Sequence, residues 1–230
     1  VKIFLDSARL ASWSLPPGCP PVAGVTTNPT LVLQAGLSVT LASYKGLLEA
    51  AARSGLAELM LQLPDRDPQE AVRWVRVLQR CAVAATVKLT IKLPCHPSWL
   101  DCIRAVQSTG QAILLTGMSN AVQLLWAQSL RAEYVAPYIG RLVADGRDPW
   151  PLMQACVAMQ LEGPALLAAS IKTPEVLARL IACGAAAATL PPESLAAWAS
   201  DVLTESAMEQ FERDIAASHR LPSLPGAGSV

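Results

Sequence analysis

The chain has 230 residues, 52% of them hydrophobic and 16% charged, and its eighteen basic and eighteen acidic side chains cancel. This composition excludes a disordered chain, which needs low hydrophobicity and excess charge, and a neutral chain without a basic run offers little electrostatic attraction for nucleic acid or a charged membrane. No apolar run reaches the roughly 18 residues of a membrane span.

The first residues, Val1-Lys2-Ile3-Phe4-Leu5-Asp6, run directly into a strand pattern at 2–5 and lack signal-peptide anatomy, so the expectation is a cytoplasmic protein. A helical pattern at 7–13 follows, then a stiff Pro-rich loop from Ser14 to Pro21. Strand patterns recur at 22–25, 57–63, 86–93, 112–116, 133–137, 165–170 and 187–190. Helical patterns lie between them at 38–53, 67–82, 97–109, 119–130, 149–160 and 174–183, and the last falls at 193–203. Asp67, Pro68 and Glu70 mark one helix start, and Thr173-Pro174-Glu175 resembles it. Strands alternating with helices imply parallel pairing with right-handed crossovers. The economical α/β architecture is a (β/α)8 TIM barrel over residues 1–203, because closure leaves no exposed edge. An open doubly wound sheet is the alternative, but no Gly-x-Gly-x-x-Gly follows any strand. Beyond the barrel, a helix within 204–220 carries Met208, Phe211 and Ile215 at helical spacing. That stripe needs a surface, on its own barrel or on a neighbouring subunit. Residues 221–230 read as a disordered tail.

The six cysteines are scattered, without CxxC or metal-ligand spacing, and read as reduced packing residues. The fourth strand is more informative. In Thr86-Val87-Lys88-Leu89-Thr90-Ile91-Lys92-Leu93-Pro94 two lysines interrupt an apolar run. Lys88, Thr90 and Lys92 share the face opposite Val87, Leu89, Ile91 and Leu93. Lys92 lies at the C-terminal end, where barrels carry their active sites. A dry setting disfavours a charged amine, and a neutral amine is what attack on a ketone requires. Lys88, toward the opposite rim, reads as a lysine snorkelling to solvent.

Gly24-Val25-Thr26-Thr27-Asn28-Pro29-Thr30 closely resembles the Gly-Val-Thr-Thr-Asn-Pro-Ser signature of the transaldolase family. Phe4-Leu5-Asp6-Ser7 is similar to its opening strand and Ile91-Lys92-Leu93-Pro94 to its Schiff-base strand. The stretch from Ala132 to Tyr138 with Arg141, and Leu167-Ala168-Ala169-Ser170-Ile171-Lys172-Thr173, are similar to its sixth and seventh strands. The short length matches the fructose-6-phosphate aldolase and small-transaldolase subgroup.

The resemblance implies a class I aldolase or transaldolase acting on a sugar phosphate, without metal or organic cofactor, in a homo-oligomer such as a pentamer or decamer. It implies Lys92 as the nucleophile and Asp6 as the acid assisting imine formation. Thr26, Thr27, Asn28 and Ser170 would contact substrate, and Arg141 would anchor phosphate. Gln62, Thr116 and Tyr138 match the residues that hold a catalytic water in the aldolases, where transaldolases place a Glu at the Gln position; the aldolase is therefore favoured. A transaldolase, or a barrel that binds sugar phosphate without catalysis, stays as the alternative. Each residue also has a plainer reading. Asp6 could cap a helix, Thr26 to Pro29 could form an ordinary turn, Ser170 could cap the helix near Pro174, and Arg141 could be a surface charge. Gln62 could be a polar strand end and Tyr138 a packing residue with a wet hydroxyl. Three features depart from the family pattern. His96 stands where a small hydroxyl residue is usual, the stretch from Leu142 to Trp150 carries Arg147 where the family has a more Gly-rich acidic loop, and Thr116-Gly117-Met118-Ser119-Asn120 departs from the commoner small-residue pattern.

Overall fold

The computed structural model describes residues 1–15 and 17–221. The first half runs β1 (Lys2–Asp6), β2 (Gly24–Thr26), α1 (Pro29–Gln34), α2 (Leu41–Arg53), β3 (Glu58–Gln62), α3 (Pro68–Ala85), β4 (Lys88–Pro94) and α4 (Leu100–Gln107). The second runs β5 (Ile113–Met118), α5 (Ala121–Ser129), β6 (Tyr134–Pro137), α6 (Ile139–Ala144), α7 (Trp150–Met159), β7 (Ala165–Ala168), α8 (Pro174–Cys183), β8 (Ala187–Leu190), α9 (Pro192–Trp198) and α10 (Val202–Ser218). The strands pair in parallel with their chain neighbours, and β1 pairs with β8 to close an eight-stranded barrel.

Strand alternation divides the apolar residues into two sets. Leu89, Ile91 and Leu93 of β4 join the core between barrel and helices. Phe4, Met60, Leu114, Tyr134, Ala136, Leu167 and Ala187 fill the barrel itself, where the Phe4 and Tyr134 rings meet edge to face with centroids 6.5 Å apart. In β5 the register shifts between Thr116 and Met118, with Gly117 at φ 74°. The surplus residue lets Thr116 face inward while Met118 joins the outer core.

The helix starts follow local chemistry. Asp67 Oδ1 accepts from the Gln69 and Glu70 amides at 3.0 and 2.8 Å, Thr173 caps α8, and Asn120 and Gln123 form a reciprocal capping box on α5. The helix expected at 7–13 does not form; only a 3-10 turn at Leu10–Ser12 does. Side chains displace the helical ladder there. Ser7 Oγ accepts from the Arg9 amide at 3.1 Å, Ser12 Oγ donates to the Arg9 carbonyl at 2.8 Å, and Trp13 Nε1 donates to the Ser7 carbonyl at 3.1 Å. Two short helices, α1 and α6, come in addition to the expected set. The first starts on Asn28, whose side chain accepts from the Leu31 amide at 3.0 Å ahead of Pro29, so this turn is a helix cap.

The lower end of the barrel is closed by charge. Lys88 Nζ pairs with Glu133 and lies 3.3 Å from Glu58 Oε1, which also accepts from Thr90 Oγ1 at 2.6 Å. Lys88 is exposed at the strand start, as a snorkelling lysine would be, and is in addition held by two carboxylates. Burial opposes its charge, but Glu133 and Glu58 outweigh burial and raise its pKa. Every residue of α10 is exposed, Met208, Phe211 and Ile215 among them. No helix among the described residues is long and apolar enough to cross a membrane.

Candidate active site

At the C-terminal ends of the strands the barrel opens into a cavity of about 350 Å³, a size suited to a small ligand. Lys92 of β4 and Gln62 of β3 pair in register and both line it. Lys92 is only 4% exposed. Among the described residues no carboxylate oxygen lies within 4.0 Å of its Nζ; the ion pairs of the strand belong to Lys88. The amine therefore borders the cavity without a neutralising partner.

Asp6, at the end of β1, lines the same cavity. Its Oδ1 accepts from Thr26 Oγ1 at 2.8 Å, and Thr26 Oγ1 lies 2.7 Å from Thr189 Oγ1 of β8. Asp6 is a strand-end acid facing the cavity and caps no helix. Across the cavity, Tyr138 follows β6, held by a parallel bridge to Ala169. Thr116 Oγ1 donates to Tyr138 Oη at 2.7 Å, which leaves the phenolic hydrogen free for another acceptor. The Arg141 guanidinium stacks 4.6 Å from the Tyr138 ring centroid.

Toward the opening, Arg141, Ser170 and Lys172 line the cavity together with Asn28 and Thr30. Ser170 has left-handed backbone, φ 60°, and its carbonyl accepts from the Gly140 amide at 3.0 Å. That bond ties the end of β7 to the start of α6. Ser170 caps no helix, since Thr173 has that task for α8.

The structure thus gathers Asp6, Asn28, Gln62, Lys92, Tyr138, Arg141 and Ser170 around one cavity. Thr26, Thr27 and Thr116 are buried behind the lining, with their hydroxyls used internally: on Asp6, on the Met60 carbonyl at 3.0 Å, and on Tyr138. Three polar lining residues, Thr30, Lys172 and Thr189, escape a reading of the sequence. Lys172 stands two residues past Ser170, and its one signal is a basic residue at a strand end. Thr189 is a lone hydroxyl within the apolar strand Ala187-Ala188-Thr189-Leu190.

Cys95 and the residues that depart from the family pattern fall outside the lining. Burial pushes the Cys95 thiol up to about 11, so at neutral pH it is a packing residue and not a thiolate. His96 Nδ1 accepts from the Ser98 amide at 3.2 Å and starts a 3-10 turn. Arg147 Nε pairs with Asp145 Oδ2 at 2.8 Å, and its Nη1 donates to the Ser119 carbonyl at 3.4 Å.

Several solved structures share the fold. Phosphoenolpyruvate phosphomutase from Streptomyces platensis subsp. rosaceus aligns at TM-score 0.60 and 12% identity, over 97% of this chain and 88% of its own. Orotidine 5'-phosphate decarboxylase from Pyrococcus horikoshii OT3 aligns at TM-score 0.56 and 15% identity, over 86% and 96%. 3-Hexulose-6-phosphate synthase from Salmonella typhimurium aligns at 0.57 and 11%, over 86% and 95%. At these identities the likeness concerns the barrel alone. A profile of one protein family, transaldolase/fructose-6-phosphate aldolase, matches residues 3–223.

Proposed function

This chain belongs to the transaldolase/fructose-6-phosphate aldolase family and is an enzyme of the aldolase or transaldolase type; on that premise we propose that it is a class I aldolase cleaving or forming a ketose phosphate through an imine on Lys92. The observation that carries the reading is a buried lysine on the cavity wall, without a carboxylate on its Nζ, at the end of the barrel where Asp6 and Tyr138 also converge.

Lys92 Nζ adds to the ketose carbonyl, and loss of water, with Asp6 exchanging the protons, gives an iminium. The carbon–carbon bond beyond C3 then breaks as the C4 hydroxyl gives its proton to the water held at Tyr138, and the electrons of the broken bond rest in an enamine. The phosphorylated aldehyde, glyceraldehyde 3-phosphate in the case of fructose 6-phosphate, leaves first. A water held by Gln62, Thr116 and Tyr138 relays a proton to the enamine carbon. Hydrolysis then frees dihydroxyacetone and the lysine. The Thr116-to-Tyr138 bond supports this route, since it directs the Tyr138 hydrogen away from Thr116. Arg141, Ser170 and Lys172 form a cationic, hydrogen-bonding bed for the phosphate. Asn28 contacts the sugar, while Thr26 and Thr27 hold the scaffold behind it.

Borohydride reduction in the presence of a ketose should fix one ketose adduct on Lys92, found by peptide mass mapping, and Lys92→Ala should remove both adduct and turnover, a loss of at least about 10⁴-fold. A Lys92→Ala variant that retains turnover overturns the reading. The transaldolase alternative shares every step up to the enamine. Measuring dihydroxyacetone release with and without erythrose 4-phosphate separates the two, since product formed only with acceptor means transfer. We further place the protein in a reducing, cytoplasmic setting, which its six free thiols support, and in a homo-oligomer built through the apolar stripe of α10.

A further inference from the structure

A hydroxyl has one hydrogen to give, and the chain of oxygens at Asp6 fixes where each goes. Thr26 Oγ1 lies 2.8 Å from the Asp6 carboxylate, which as an anion only accepts, so the Thr26 hydrogen is committed to Oδ1. The Thr189 oxygen lies 2.7 Å from Thr26 Oγ1. Thr26 has nothing left to donate, so Thr189 is the donor in that pair. Both threonines are buried, and they flank β1 from either side, Thr26 opposite Asp6 in the β1–β2 register and Thr189 opposite Phe4 in the β1–β8 register. The order Thr189 to Thr26 to Asp6 is therefore the one that satisfies all three groups.

We infer that Thr189 is a positioning residue of the Schiff-base chemistry: by donating to Thr26 it keeps the Thr26 hydroxyl on Asp6 Oδ1 and reserves Oδ2 for proton exchange at the Lys92 carbinolamine. This inference rests on the function proposed above. A hydroxyl that is accepting from Thr189 is a stronger donor to Asp6, because hydrogen bonds in a chain polarise one another away from water. The chain also fixes the plane of the carboxylate. Without Thr189 the Thr26 hydroxyl is free to turn, and a protonated Asp6 can place its hydrogen on Oδ1 and donate backwards to Thr26. That proton is then turned away from the substrate. Nothing in this device touches the phosphate bed of Arg141, Ser170 and Lys172, so it acts on turnover and leaves binding alone.

The test compares Thr189→Val, Thr189→Ser, Thr26→Val and the Thr26→Val/Thr189→Val double variant with the wild type. Valine keeps the branched shape of Thr189 and removes only the hydroxyl. Cleavage of fructose 6-phosphate gives kcat and KM, with thermal midpoints measured beside them. Thr189→Val should lose about tenfold in kcat, part of the roughly 10²–10⁴-fold that a positioned acid–base group supplies, with KM within about twofold. Thr189→Ser should recover most of the loss. The double variant should be no slower than Thr26→Val alone, since both changes break one chain. A Thr189→Val enzyme with wild-type kcat, a loss that serine does not rescue, or fully additive losses would each overturn the inference. Borohydride trapping of the wild type at Lys92, run alongside, separates the two levels. A trapped adduct with unaltered Thr189→Val turnover overturns the positioning role alone, whereas no adduct with any ketose overturns the proposed function and this role together.

Discussion

A methyl group at position 140 would have no room. An ideal Cβ on Gly140 falls 2.7 Å from both the Ser170 carbonyl and Ser170 Oγ, and 3.3 Å from Lys172 Cε. Backbone on one side and the proposed phosphate bed on the other leave only displacement as a response. Gly140→Ala should therefore raise KM for a phosphorylated ketose about tenfold, the equivalent of roughly 1.4 kcal/mol, while Lys92 still traps unphosphorylated dihydroxyacetone with borohydride. Equal losses for both ketoses would place the damage elsewhere. Single residues differ in how much of this the sequence carries. Lys92 is legible because burying an amine inside an apolar strand is costly, and a strand end at a barrel mouth is where that cost has a chemical use. Thr26 is not, because whether its hydroxyl meets a ligand or Asp6 depends on a strand contact twenty residues away in the chain. The one signal of Lys172, a basic residue past a strand end, does not separate it from a surface lysine.

At the scale of elements, β4 bears one lysine at each end with opposite circumstances. Lys88 sits between Glu58 and Glu133, and Glu58 is 6% exposed. Lys88→Met would strip that buried carboxylate of its cation. The expected cost is about 1–2 kcal/mol, held down because Lys88 is itself half-exposed, and it should be read as a thermal midpoint lowered by a few degrees with kcat unchanged. A fall in kcat without a fall in stability would count against this division of labour. Strong periodicity makes β4, α3 and α8 readable with their caps. The pattern at 7–13 misleads because Ser7 and Ser12 offer the backbone a competing set of partners. The short α6 is invisible for a different reason. Tyr138 gives it no side-chain cap, and its first turn is anchored by bonds from Ile139 and Gly140 to Ala169 and Ser170, contacts that only the closed barrel supplies. The Asn28-Pro29 pair does announce α1, but the same residues read equally well as a turn.

For the whole molecule, alternation of strand and helix points to the barrel once the lack of a Gly-x-Gly-x-x-Gly turn weighs against an open doubly wound sheet, because closure leaves no strand edge unpaired. It is not enough to say what covers α10. That helix presents Met208, Phe211 and Ile215 at 56%, 63% and 56% exposure, a stripe that water penalises by roughly 25 cal/mol for each Å² left uncovered. Deleting residues 205–230 should lower the mass seen by light scattering and leave the barrel's circular dichroism intact; an unchanged mass would argue against assembly through this helix. The other rim feature with a molecule-wide effect is the additional glycine in β5. Because side chains take alternate sides, one supernumerary residue acts as a parity switch: everything before Gly117 is counted odd against even, and everything after it is counted the other way. Trimming that one residue would restore plain alternation and leave methionine outside, whereas straightening the bulge with the residue still present would exchange the inside and outside of the strand's last step and turn methionine toward the sugar. Homologous loops transplanted at this rim will therefore function only if residue count and bulge stay matched.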